Sequence, residues 1–300
     1  MKKIFAFVFV ACFLLFDACF AKAVIKAKQG ALMVDNATYA ETKELFEKYD
    51  YTEFGRPNLQ IPRIYLKTLP VDWEKIEKSD DKNKMFIRIL LPLILKINEE
   101  IAIERSAVLS LLKKEQPLND KEKNFVEEKA LKYDVFTPNK SEKRYKLLLN
   151  GLKERVDELP AGFLIAYAGV FSDWGNSRLS TVANSLFREE VWYSDEGIEP
   201  ENVNGADFKY AKFDSLEDGL RSFMHKINSS ITYQFIWTAR EASNKIGRKV
   251  LGEQLIAAMT YEGKLKNITG MLDFNLSYYK LNKTDMLPSL KDVKVKQKRM

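Results

Sequence analysis

Between Lys84 and Lys114 apolar residues recur every third or fourth position, and this rhythm constrains the fold more than any other feature of the chain. Phe86, Ile89, Leu90, Leu93, Ile94 and Ile97 make one stripe, which Ile101, Ile103 and Leu109 prolong. A stripe with the helical period predicts an α-helix that buries one face in a core. It does not read as a membrane span, because Arg88, Lys96, Glu99 and Glu100 interrupt it. Pro92 lies inside it and predicts a kink or the start of a second helix. The same period marks shorter helices over 39–49, 121–133 and 141–156. Pro160 suits the first turn of a further helix that runs through Phe163, Leu164, Ala166, Tyr167 and Ala168 to about Asp173. Residues 24–35 read as a short lead-in. Ile61–Trp73 reads as an extended path, restricted by Pro62 and Pro70.

The start of the chain reads as an export signal. Lys2 and Lys3 precede an apolar run from Ile4 to Phe16, and Ala21-Lys22-Ala23 is a small-x-small exit. The run is shorter than the roughly 20 residues a bilayer requires, so no membrane anchor is expected after cleavage near Ala23. Cys12 and Cys19, the two cysteines, both lie in this segment. The remaining chain then has no disulfides, thiolate nucleophiles or cysteine-ligated metals, and its stability rests on packing. Cleavage lowers the formal charge from +6 to +4, since three lysines leave with one aspartate. A mildly basic exported protein suits an anionic envelope surface, although ordinary solubility charge explains it equally well. The soft boundaries are an export signal over 1–23, a helical region over 24–140, a second domain over 141–285 and a basic tail over 286–300.

The stretch from Leu164 to Phe187 reads LIAYAGVFSDWGNSRLSTVANSLF. It resembles the active-site strip of the Bax-like glucosaminidases, relatives of flagellar and autolysin-type peptidoglycan hydrolases with a mannosyl-glycoprotein endo-beta-N-acetylglucosaminidase-like domain. In that family an apolar helix ends in N-E-S-x-W-G-x-S-R, and N-N-L-F-G follows a short turn. Ser172, Trp174, Gly175, Ser177 and Arg178 fall on the first part. Asn184, Leu186 and Phe187 fall on the second. The glutamate position holds Phe171 and the preceding asparagine position holds Val170. Further likenesses occur in the same order: IPRIYLKTLPVDW, FIRILLPLILKINEEI, YAKFDSLEDGLRSFMHKIN and LIAAMTYEGK. They extend the resemblance over about residues 57–280.

The resemblance implies a mainly α (α+β) fold: a lysozyme-like helical body with a small β-rich lobe over 187–212, and a glycan groove between them. It implies peptidoglycan or another N-acetylated glycan as partner, and no cofactor. Trp174, Arg178, Asn184, Tyr193 and Tyr261 are the implied glycan-binding residues. Arg178 would hold the groove wall, and the Tyr261 ring would stack on sugar. For Trp174 and Tyr261 a place in the core is the plain alternative.

Glycoside hydrolysis needs a carboxylic acid to protonate the leaving oxygen. A phenyl ring carries no such proton, and losing general-acid help costs about 10²- to 10⁴-fold. With Phe171 at the acid position, the family's route is closed. Substitutes are Asp173, which points elsewhere unless the helix has unwound, and the acids from Glu189 to Glu201, among them Glu189, Glu190, Asp195 and Glu196. A solvated acidic loop is the ordinary meaning of that run. Other chemistry finds little footing. His225 is the single histidine, so neither a zinc set nor a serine triad can be assembled, and no metal is expected. Lysine and arginine are interspersed with acids, which does not suit nucleic acid. The readings left open are a glycan-gripping protein without its acid, an active hydrolase using a lobe carboxylate, and a protein-binding module whose groove Phe171 plugs.

Overall fold

The computed structural model describes residues 23–54, 59–141, 143–194, 196–201, 203, 205–263, 266–286 and 290–293. Residues 1–22 of the expected export signal with both cysteines, Asp195, and residues 287–289 and 294–300 of the expected basic tail lie outside them.

The described residues open with a hairpin where only a lead-in was expected. Strand β1 (Val24–Lys28) pairs antiparallel with β2 (Ala31–Asp35). The turn is Gln29-Gly30, and both residues have positive φ (46° and 76°). That geometry matches the right-handed twist of two strands, and glycine adopts it without strain. In β2, Leu32 and Val34 are buried while Met33 faces out, so the strand covers the core with one face. After α1 (Tyr39–Lys48), β3 (Ile64–Leu66) joins β2 in parallel.

The apolar stripe forms α2 (Asp80–Leu112), capped by the Ser79 hydroxyl, which accepts the Lys82 N–H. It passes Pro92 without ending, so the expected second helix start does not occur. Proline removes one backbone donor there, and burial of Phe86, Ile89, Leu90, Leu93, Ile94 and Ile97 on both sides of it offsets that loss. No helix among the described residues is long and apolar enough to cross a membrane.

α3 (Asp120–Lys132) and α4 (Lys143–Arg155) follow, and then α5 (Ala161–Ser172), which is buried almost throughout. Gly162 lets α5 approach Leu281 closely, since a Cβ there would lie 2.5 Å from the Leu281 carbonyl oxygen. Asn98 of α2 fixes the entry to α5 by bonding both the carbonyl and the N–H of Leu159 (2.7 and 3.0 Å). Next come α6 (Arg178–Ala183), β4 (Glu190–Trp192), β5 (Phe208–Tyr210), α7 (Leu216–Ser229), α8 (Gln234–Lys245), α9 (Gly252–Tyr261) and α10 (Lys266–Tyr278). β4 and β5 pair antiparallel, and an Ile198–Tyr210 bridge extends them into the small lobe expected over 187–212.

Among the described residues the architecture is mainly helical with two small sheets; the helical body and the β4–β5 lobe are as expected, and the β1–β2–β3 sheet is an addition. α2 packs on α4, α5 and α7, while α9 and α10 close over the other side of α5. A single apolar cluster includes Leu90, Leu164, Phe223 and Leu255, and so joins residues on both sides of residue 140.

Candidate functional site

At its C-terminal end α5 unwinds abruptly. Asp173, Trp174 and Gly175 all take left-handed φ (50°, 54° and 82°). Ser172 stabilises this exit: its hydroxyl donates to the Ala168 carbonyl (2.6 Å) and accepts the Gly175 N–H (2.9 Å). Glycine is required at 175. Beyond its φ, a Cβ would meet Leu69 Cδ1 at 2.8 Å and Trp73 Nε1 at 2.9 Å.

The turn seats Trp174 half-buried. Its ring lies under Gly169, where an added Cβ would sit 3.1 Å away. It meets Phe86 and Tyr279 edge-on at 5.8 and 4.8 Å. The side chain is thus held by the core on several sides. Asp173 is freed from the helix, but its carboxylate is exposed and paired with Lys78.

Phe171 lies flat on Tyr167 (centroids 4.5 Å apart, planes 7° apart). Phe163 and Tyr167 are also in ring contact, so positions i, i+4 and i+8 of α5 present one aromatic face. Tyr167 also touches Phe187 and Phe223, which stack on one another at 4.0 Å. Phe223 in turn meets Tyr233. Burial holds the Tyr167 phenol above its ordinary range, with a smaller push from Tyr233, so it is a poorer proton donor than a free tyrosine.

Among the acids proposed as substitutes, Glu190 and Glu196 are exposed. Glu189 differs. It is buried, one carboxylate oxygen accepts the Ser222 hydroxyl (3.2 Å), and the other has no hydrogen-bond partner among the described residues. Burial raises its pKa, against the opposing pull of Lys226 and the Ser222 hydrogen bond. The same carboxylate contributes to the rise of the Tyr233 phenol to about 12, most of which comes from burial. Glu189 therefore neighbours the aromatic run that ends at Phe171.

The remaining sequence-derived residues fall in three places. Arg178, at the start of α6, reaches the lobe through Glu201 (3.4 Å) and the Glu199 carbonyl (3.4 Å). Asn184 caps α6 in the left-handed region and donates to the Phe213 carbonyl (3.0 Å). Its amide thus bonds the protein's own backbone. Tyr193 and Tyr261 are 87% and 90% exposed, the first beside Trp192 on the lobe and the second ending α9. Sequence reasoning missed Tyr167, Phe223 and Tyr233. The four-residue spacing of Phe163, Tyr167 and Phe171 was a visible signal for the first of them. Among the described residues no group of three or more His, Cys, Asp or Glu is placed to hold a metal ion.

No family model matches the chain. Over 185 residues, 62% of its length, the chain is 25% identical to Protein bax of Escherichia coli (strain K12), and it spans 65% of that protein, less than two thirds. It is also similar to the solved structure of the catalytic domain of the autolysin Auto from Listeria monocytogenes. That match covers 70% of this chain and 90% of the other, at 13% identity and a TM-score of 0.39, a likeness too loose to build on. The relationship to bax is distant.

Proposed function

We propose that this chain is an exported protein of the Bax-like glucosaminidase kind that grips the N-acetylated glycan of peptidoglycan and has lost the family's means of cutting it. The distant likeness to bax and the ordered motifs around Trp174-Gly175 support the kinship. Exposed Tyr193 and Tyr261, with Arg178 bracing the lobe, support a surface for sugar.

One observation carries the loss of hydrolysis. The ring of Phe171 is stacked at 4.5 Å on Tyr167, inside an aromatic run, where the family's mechanism needs a proton donor. A phenyl ring can neither give a proton nor stabilise the positive charge that develops on the sugar. Tyr167 beneath it holds its proton too tightly to substitute, and Asp173 is paired with Lys78.

Glu189 favours a second reading, a slow hydrolase. A buried carboxyl with an unpartnered oxygen and a raised pKa keeps its proton to higher pH, which is the property a general acid needs. Incubation with purified peptidoglycan separates the two readings. The leading reading expects the wild type to sediment with the wall and release no soluble fragments. Release that disappears in Glu189→Gln, with binding kept, would establish the second reading in its place.

A further inference from the structure

The aromatic contacts at the end of α5 continue outward. Trp174 meets Tyr279 at 4.8 Å, Tyr279 meets Tyr278 edge-on at 4.9 Å, and Tyr278 lies nearly parallel to Phe274, 5.3 Å away at 18°. This path leads from a half-buried ring to two open ones: Phe274 is 62% and Tyr278 53% exposed. Neither residue belongs to the motifs that suggested a glycan groove.

We propose that Phe274 and Tyr278, on the outer face of α10, form a stacking subsite for a neutral pyranose of a glycan strand. The proposal rests on the glycan-binding reading above and extends its surface beyond the strip from Leu164 to Phe187.

The ledge is built in advance of any ligand. Asp80, at the start of α2, accepts the Tyr278 hydroxyl through one oxygen (2.9 Å) and the Tyr279 hydroxyl through the other (3.1 Å). Asn83 donates to the Tyr279 oxygen (2.8 Å). Rings fixed this way lose little freedom when something settles on them.

The surroundings select the occupant. Phe274 borders a cavity of about 300 Å³ whose other lining residues are Glu253, Asp273, Leu276, Ser277 and Asn282. That is the lower end of the range for small-molecule sites. Among the described residues the lining holds two carboxylates and neither lysine nor arginine, which opposes a phosphate, an anionic headgroup or a sugar bearing a carboxylate. An apolar protein surface laid over it would strip water from those carboxylates without replacing their hydrogen bonds. A neutral sugar satisfies both halves of the site. Its C–H face presents partial positive charge to the negative ring faces, and its hydroxyls donate to Glu253, Asp273 and Asn282.

The test uses the full chain with tetra-N-acetylglucosamine in calorimetric titration, and with purified peptidoglycan in co-sedimentation. Wild type binds both, the double variant Phe274→Ala/Tyr278→Ala weakens tetramer binding by about tenfold or more, and Tyr278→Phe, which keeps the ring but loses the Asp80 hydrogen bond, loses clearly less than the double variant. Thermal melts of each variant exclude loss through unfolding. Unchanged binding by the double variant, with wild type bound to the wall, overturns the subsite and leaves the glycan reading standing. Failure of wild type to bind either material overturns both. A wild-type dimer that the double variant dissociates would make the ledge a self-association face, which also overturns the subsite.

Discussion

Asp285 anchors both helices that carry the candidate site, and its substitution tests the physical account of how they are held. One carboxylate oxygen accepts the N–H of Gly162 in the first turn of α5 (2.7 Å), and the other accepts the N–H of Gly252 at the start of α9 (2.9 Å). Phe171 and Tyr261 lie toward the far ends of the same helices. Burial raises the carboxyl from 3.8 to about 6, outweighing the two backbone hydrogen bonds, while Glu253 adds to the rise. Between these values the folded chain binds more protons than the unfolded one, so this group makes stability fall as pH rises from about 4 to about 6. At about 1.36 kcal/mol per pKa unit, the full loss is about 3 kcal/mol. Asparagine is neutral like the protonated acid, but its amide nitrogen only donates, so one of the two backbone N–H groups loses its acceptor, which costs about 1–3 kcal/mol. Asp285→Asn should therefore fall below wild type by that amount near pH 4, and the difference should move in favour of the variant by up to about 3 kcal/mol as pH rises to 7. Urea unfolding followed by circular dichroism at pH 4, 5, 6 and 7 reads the difference, and the wild-type subtraction removes other titrating groups. A difference that stays flat, or moves toward wild type, as pH rises from 4 to 7 would refute the reasoning. It would mean that a negative charge at two helix N-termini outweighs the cost of burying it.

Two further substitutions test named contacts. Arg240 is fully buried and donates to the carbonyls of Glu154, Arg155 and Asp157, where α4 ends, and to the Asn228 side chain. Arg240→Ala orphans these acceptors and should cost about 3 kcal/mol or more in chemical unfolding; a loss below 1 kcal/mol would show that water replaces the guanidinium at little cost. Gly175→Ala forces a Cβ against Leu69 and Trp73 at a φ of 82°, and should destabilise by about 1–3 kcal/mol, with a shift in tryptophan fluorescence as the Trp174 turn moves.

Much of the helical frame was readable because its signals are local. The 3.6-residue stripe of α2, the proline before α5 and the charged flanks of α3 each act within a few residues. The β1–β2 hairpin carries a local signal too, the turn pair Gln29-Gly30 between two short apolar-bearing segments, but five-residue strands are too short for their pattern to stand out from a lead-in. The site was less legible. The packing of Trp174 depends on Phe86 and Tyr279, far away on either side in the chain. The groups that act on buried Glu189, the Ser222 hydroxyl and the Lys226 charge, come from α7, and no residue next to it in the chain announces them. The resemblance only singled out Phe171 as a position where an acid would be expected, and the contact that its ring makes with Tyr167 could be read from the three-dimensional structure alone.

The most direct test of the central claim is the release of soluble glycan fragments from purified peptidoglycan by wild type and by Phe171→Glu, with bound protein measured in the same pellets. The account predicts that both sediment with the wall, that wild type releases nothing above background, and that cleavage arises only when the carboxylate is restored at 171. Release by wild type, or the absence of wall binding in both, would contradict it.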